Sequence, residues 1–273
     1  VKGTANEMFA SMVEQLQSLF SRTAHPLIVD FIDEDDNEVL RAVRLCRERK
    51  PAGLMFLGGS NRNFVEDFGK IQVPAVLVTN DASNLPFENL SSVSTDDRSG
   101  AASAVDHLIR SGHRAIAVLG GDRSLSDTSA LRYRGCVEAF EANGLAFDEQ
   151  RFYHTGRYSY EFGYSGMQAV LRATPQVTAV FAMADVIAIG AMRALADAGL
   201  RVPEDISVVG YDGLKIGSFY TPKLSTVAQS VELLARRSFA VLTDCVENGG
   251  SARHITVPFT LLDRESVRKL EPR

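Results

Sequence analysis

The chain has no tryptophan and only three cysteines among its 273 residues. The thiols Cys46, Cys136 and Cys245 are far apart, odd in number and without a C-x-x-C pair. That excludes a disulfide-stapled scaffold and fits reduced thiols, with the cytoplasm as the expected compartment. No stretch approaches the roughly 18 uncharged apolar residues of a membrane span, and the N-terminus lacks the basic, apolar, small-residue order of a signal peptide. Positive charge is not in excess either: 29 Lys and Arg stand against 34 Asp and Glu, for a net charge of −5 and a pI near 5.6. Phosphate contacts need clustered Lys and Arg, so this stretch does not grip a polyanion by itself. Any DNA binding has to come from elsewhere.

The motifs of several enzyme classes are also missing. A nucleophile elbow needs G-x-S-x-G on a strand-to-helix turn, and the nearest run, Gly163-Tyr164-Ser165-Gly166, has the wrong spacing and falls inside a helical pattern. Neither G-x-G-x-x-G nor G-x-x-x-x-G-K-[ST] occurs, so no phosphate-cradling loop and no cofactor is expected. Gly58-Gly59 and Gly120-Gly121 read as strand-end turns. His25, His107, His113, His154 and His254 are scattered without metal-ligand spacing, and no metal is expected. The acidic run at residues 33–36 lacks the glycine and closing glutamate of a calcium loop and reads as a helix start. With no nucleophile, base pair or cofactor loop, the chain is not expected to be an enzyme.

What is present is alternation. Short runs rich in Val, Ile and Leu recur at residues 26–32, 52–57, 75–79, 115–119, 179–182 and 206–210, the pattern of strands buried on both faces. Amphipathic segments between them, at 35–49, 97–111, 126–143, 159–173 and 185–198, read as helices, with Gly144 and Gly199 placed as C-caps. The composition, 45% hydrophobic and 23% charged, is that of a globular protein. Strand and helix in alternation predict α/β architecture with two doubly wound parallel-sheet lobes. The helix at 229–248 and the strands around Ile255 and Leu261 read as pieces returned to those lobes. One irregularity stands at the start: the helix at 6–20 has no apolar strand before it except Val1, although a doubly wound sheet begins with a strand near its centre. Since Val1 is also not a Met, residues upstream are expected.

Several motifs occur in one order. They are Val93-Ser-Thr-Asp-Asp with Gly100-Ala101; His107-Leu-Ile-Arg-Ser-Gly-His113-Arg-Ala-Ile-Ala-Val-Leu-Gly120; Arg132-Tyr-Arg-Gly135; Gly190-Ala-Met-Arg-Ala-Leu-Ala-Asp-Ala-Gly-Leu200; Arg201-Val-Pro-Glu-Asp-Ile-Ser-Val-Val-Gly-Tyr-Asp-Gly213; and Pro222-Lys-Leu-Ser-Thr226. Together they resemble the lac repressor family of transcriptional regulators over nearly the whole chain. The resemblance implies a type I periplasmic-binding-protein-like fold with three crossovers, near residues 94–95, 229–231 and 258. Its N-terminal lobe would comprise 1–94 with 231–258, and its C-terminal lobe 95–230 with 259–273. It further implies a homodimer, a small effector in the interlobe cleft, and operator DNA bound by a helix-turn-helix domain that these residues do not contain. A transport solute-binding protein shares the fold and is the rival reading.

The same resemblance, with the rule that open α/β sheets bind ligands beyond their strand C-terminal ends, nominates effector contacts. Asp185 offers a carboxylate to ligand hydroxyls or else caps a helix. Arg132 offers a planar donor fork. Tyr158 is placed to cover a sugar face, or it and Tyr160 pack. Asp212 and Gln229 are ligand contacts or hinge residues. Asn6, Phe9 and Asn80, with Asp81 beside it, come from the first lobe. The chain departs from the family in Ala184-Asp185, where the family often has Asn-Asp, in Glu7, and in Gly213. A monosaccharide or small glycoside is the leading effector, with a nucleobase or phosphorylated sugar as alternatives.

Overall fold

The computed structural model describes residues 1–3 and 6–271. In chain order the elements are α1 (Glu7–Phe20), α2 (Glu38–Arg49), β1 (Leu54–Leu57), α3 (Asn61–Asp67), β2 (Ala75–Val78), β3 (Leu90–Thr95), α4 (Asp97–Arg110), β4 (Ile116–Gly120), α5 (Asp127–Ala142), α6 (Glu149–Phe152) and β5 (Tyr153–Thr155). There follow α7 (Tyr160–Ala173), β6 (Ala179–Ala182), α8 (Asp185–Asp197), β7 (Ser207–Asp212), β8 (Ser225–Gln229), α9 (Val231–Asn248), β9 (His254–Val257) and β10 (Phe259–Leu262). The chain divides into two compact units, Val1–Thr95 with Ser230–Pro258 and Asp96–Gln229 with Phe259–Arg273.

The first unit holds a parallel sheet in the order β1-β2-β3-β9. One face is filled by Val39, Ala42 and Val43 of α2, Phe64 of α3, and Phe68, against Phe56, Ala75 and Leu77 of the strands. On α1, Met8, Met12, Leu16 and Phe20 form a buried stripe at helical spacing. Phe20 meets Phe239 of α9 edge-on at 4.9 Å.

In the second unit the order is β10-β8-β7-β6-β4-β5, parallel throughout except for β10, which returns antiparallel to β8. Successive side chains of a strand point to opposite faces, and the two cores sort accordingly. Ala117, Leu119, Val180, Ala182 and Val208 pack under α7 and α8, while Ile116, Val118, Ala179, Phe181 and Val209 pack under α4 and α5. Each helix pair closes on glycine. A Cβ at Gly190 of α8 would lie 2.1 Å from the Tyr160 carbonyl oxygen, and one at Gly135 of α5 would lie 2.0 Å from that of Arg98.

Helix boundaries follow their caps. Ser126, Ser159 and Ser230 each accept from the backbone N–H three residues on, as N-caps do. Gly144 and Gly199, at φ +68° and +74°, occupy the left-handed position that ends a helix. Three expectations change. The helix expected from residue 35 begins at Glu38, because Asn37 caps it by accepting from Val39 and Leu40 at 2.9 Å. Strands β3 and β8 were not anticipated, whereas the strand expected just before the Gly156-Arg157 turn is β5. The run at 26–32 is not a strand: among the described residues its one ladder contact is a parallel bridge between Lys2 and Ile32, and none of the described strands pairs with the rest of it.

Candidate functional site

In the second unit, β4, β6 and β7 run parallel, so their C-terminal ends and the helix starts that follow share one edge of the sheet. Arg132 approaches that edge from α5, on the same helical face as Ser129, and both are buried. Its Nε donates to Asp97 Oδ1 at 2.7 Å, with side-chain exposures of 5% and 4% for the pair. Nη1 donates to the Met183 carbonyl, and the guanidinium carbon sits 3.7 Å from the centre of the Tyr211 ring. Burial opposes the charge of Arg132, but Asp97, Tyr211, Tyr158 and Asp212 together more than offset it, so its pKa is raised and the group stays a cation. For Asp97 burial prevails over Arg132, and its pKa lies above the usual carboxylate value.

The remaining nitrogen, Nη2, faces Asp212 Oδ1 across 3.8 Å, beyond hydrogen-bond length. Asp212 ends β7 with φ +112°, a conformation that costs a non-glycine residue energy and that clusters at functional positions. Its Oδ1 accepts from Gln229 Nε2 at 2.9 Å. Burial pushes its carboxyl up to about 6, against the pull of Arg132. Tyr158 lies beside this group, its hydroxyl 2.9 Å from Ser129 Oγ. Gly121 makes room for it: a Cβ there would stand 2.7 Å from the Tyr158 ring and 2.4 Å from Ser129 Oγ. The arrangement is a cation already paired on one side, a carboxylate held off it on the other, and an aromatic ring alongside.

Asp185 is not part of it. The expectation that it offers a carboxylate to a ligand is corrected, because the residue is 0% exposed and both oxygens are used inside the unit. Oδ2 accepts from Leu214 N and Oδ1 from Thr226 Oγ1, each at 2.6 Å. Gly210 permits this approach, since a Cβ there would come within 2.2 Å of Oδ1. Burial, then the charge of Asp212, pushes the Asp185 carboxyl up to about 8. Asp185 therefore fastens the loop after β7 to the start of α8 and to β8.

The residues nominated in the first unit are likewise committed to structure. Asn6 caps α1, accepting from Phe9 N at 3.1 Å. Phe9 is a core residue at 7% exposure, lying against Gly58. Asn80 donates to the Gly59 carbonyl at 3.1 Å and accepts from Thr79 Oγ1 at 3.3 Å. Asp81 closes an Asx turn on Ser83 N at 3.0 Å and accepts from Ser92 Oγ at 3.2 Å. Residue-by-residue reading missed Asp97, Ser129 and Tyr211. The one available signal was the doubled acid Asp96-Asp97: Asp96 suffices to cap α4, so Asp97 is left for another task.

Residues 105–267 match the family model described as a periplasmic binding protein-like domain. The chain is 30% identical, over 97% of its own length and 80% of the relative's, to the HTH-type transcriptional regulator MalR of Clostridium butyricum. A solved complex of the transcriptional regulator CelR with cellobiose superposes with a TM-score of 0.83 at 27% identity, covering 96% of this chain and 80% of that one. The lac repressor dimer bound to operator and the anti-inducer ONPF gives 0.85 at 26%, covering 98% and 92%. These relatives are regulators rather than transport proteins or enzymes. Among the described residues no helix is long and apolar enough to cross a membrane. With its ordered motifs, its two parallel-sheet units and these matches, the chain belongs to the lac repressor family of transcriptional regulators and comprises that family's effector-binding core.

Proposed function

We propose that the effector is a neutral, hydroxyl-rich sugar or glycoside, held in the second unit by Arg132, Asp212, Gln229 and Tyr158. The observation that carries this is the 3.8 Å separation between Arg132 Nη2 and Asp212 Oδ1. A hydroxyl both accepts and donates, so one placed between them satisfies cation and carboxylate together. A phosphate or carboxylate on the ligand only accepts. It would meet the Asp212 carboxylate while competing for a guanidinium that Asp97 already holds. Tyr158 supplies an aromatic surface for the apolar face of a pyranose. The CelR relative solved with cellobiose supports the same ligand class. In this reading effector binding biases one of two states of a homodimer, and the readout is operator binding by a helix-turn-helix domain outside these residues.

Thermal denaturation of the chain against a panel tests the effector class. A ligand that binds only the folded protein at a hundred times its Kd stabilises by about 2.7 kcal/mol. Neutral mono- and disaccharides such as ribose, glucose, maltose and cellobiose are expected to include one that raises the midpoint, with glucose 6-phosphate, galacturonate and hypoxanthine inert. A shift confined to the anionic sugars or to the purine overturns the assignment.

A further inference from the structure

The loop between β4 and α5, residues 121–126, leaves the sheet at the edge where the Arg132 group lies. It is folded on itself. Asp122 Oδ1 accepts from Ser124 N at 2.8 Å and from Ser124 Oγ at 2.6 Å, and the Asp122 carbonyl accepts from Leu125 N at 3.2 Å and Ser126 N at 3.0 Å. Residues 121 and 123 tie this turn to the body of the unit. Tyr153 Oη donates to the Gly121 carbonyl at 2.6 Å. The guanidinium carbon of Arg123 lies 4.1 Å from the centre of the Tyr133 ring and 5.9 Å from that of Tyr153, and Nη2 donates to Glu149.

The groups that receive Arg123 are themselves joined. Tyr133 Oη donates to Glu149 Oε2 at 2.7 Å, and the Tyr133 and Tyr153 rings meet edge-on at 4.9 Å. Helices α5 and α6 and strand β5 thus supply two ring faces and a carboxylate to one guanidinium. Arg123 and Glu149 are 39% and 42% exposed, so their ion pair adds little stability by itself. What the cluster supplies is placement of the loop. Burial pushes the Tyr153 hydroxyl above its ordinary value, so it keeps the proton that it donates to Gly121. Gly121 is where this cluster meets the site: the residue whose carbonyl Tyr153 holds also walls Ser129 Oγ and the Tyr158 ring, which lie 2.4 and 2.7 Å from where a Cβ would stand.

We infer that Tyr153 and Arg123 are positioning residues for the effector: by clamping the 121–126 loop they fix the Gly121 wall against which Ser129 and Tyr158 are set, and with it the ring that covers the sugar. The inference rests on the assignment of Tyr158 to the sugar face. Preorganisation is its physical basis. A ring already held in its bound position costs little to order when the ligand arrives, whereas a wall that shifts releases the ring and moves that cost onto binding. Arg123 acts through this chain and not by contact with the ligand, since its face is taken by Tyr133 and its Nη2 by Glu149.

The test uses Tyr153→Phe, Arg123→Met, and Arg123→Met combined with Glu149→Gln, none of which alters a group placed against the sugar. The chain is labelled with fluorotyrosine, and the Tyr158 fluorine signal is assigned by its loss in Tyr158→Phe. Without ligand, that signal is expected to shift or broaden in both Tyr153→Phe and Arg123→Met, a change that lowered stability alone does not produce. Calorimetric titration with ribose, glucose, maltose and cellobiose then reads affinity. For a sugar that binds the parent, each of these two variants is expected to weaken binding about tenfold, equivalent to about 1.4 kcal/mol. Adding Glu149→Gln to Arg123→Met should weaken it no further, since the two belong to one clamp. An unmoved Tyr158 signal, or unchanged affinity in both variants while the parent binds, overturns the inference and leaves the sugar assignment standing. Weakening in Arg123→Met with Tyr153→Phe unaffected also overturns it, because Arg123 would then be a direct contact. If none of these sugars binds the parent, the sugar assignment fails instead, and the fluorine signal alone decides the clamp.

Discussion

Replacing Asp97 by Ala removes the carboxylate that accepts from the buried Arg132 Nε at 2.7 Å, leaving Asp212, 3.8 Å from Nη2, as the acid beside it. Both side chains are about 95% covered, so solvent cannot rehydrate Arg132 when its partner goes. Breaking one side of such a pair leaves an uncompensated charge and costs about 3–5 kcal/mol. At 2–4 °C per kcal/mol for a chain of this size, the thermal midpoint falls by about 6–20 °C. Replacing both members by apolar residues, Asp97→Ala with Arg132→Met, removes the charge as well, and Met keeps much of the stacking volume over Tyr211. The double variant is therefore expected to be more stable than Asp97→Ala alone, by about 2 kcal/mol or more. Urea unfolding at pH 7, followed by circular dichroism on the four corners of the cycle, measures the coupling. A loss under about 1 kcal/mol for Asp97→Ala, or a double variant whose cost equals the sum of the singles, would refute the picture of a dry, mutually dependent pair.

Two further outcomes are expected. Asp185 has a folded value of about 8 against its usual 3.8, so the folded state holds the proton more tightly than the unfolded chain, and stability falls as pH rises between about 4 and 8. Asp185→Asn removes that titration, so urea midpoints at pH 5 and pH 8 should differ less in the variant than in the parent; an equal or larger difference contradicts the assignment. Gly121→Ala introduces a Cβ 2.4 Å from Ser129 Oγ and 2.7 Å from the Tyr158 ring, a clash expected to cost about 1–3 kcal/mol. It should also weaken binding of whichever sugar shifts the parent, and calorimetry showing unchanged affinity would remove Tyr158 from the site.

The parts of the fold that were legible in the sequence are those whose signal is local. Strands β2, β4 and β6 are apolar on both faces, and helices α5, α7 and α9 begin at Ser caps, so run length and capping residues locate them. Strands β3 and β8 escaped because their buried positions carry Ser and Thr, which read as loop. Their hydroxyls are satisfied by distant chain: Ser91 Oγ accepts from Arg253 N at 3.1 Å, and Ser225 Oγ accepts from Arg264 N at 2.8 Å. No window of sequence contains both partners. The site divides the same way. Arg132 was found through its motif, and the geometry gives it a partner, Asp97, that reads in sequence as part of a helix start. Asp185 follows a strand end and so was read as facing a ligand. Which way its side chain turns depends on the space left by Gly210, 25 positions later.

The glycine contacts of the second unit carry a mechanical consequence. At Gly190 and Gly135 neighbouring helices meet backbone to backbone, closer than any side chain allows. Two packed helices slide past one another by letting side chains change rotamer, and a main-chain contact has no rotamers to change. Each helix pair is thereby held as a single plate, and sliding of one helix past its pair-mate is closed to this unit as a way of answering an effector. A search for the moving parts of this unit can therefore pass over the α7–α8 and α4–α5 contacts and look to the helix–sheet layers and to the loop that Asp185 fastens.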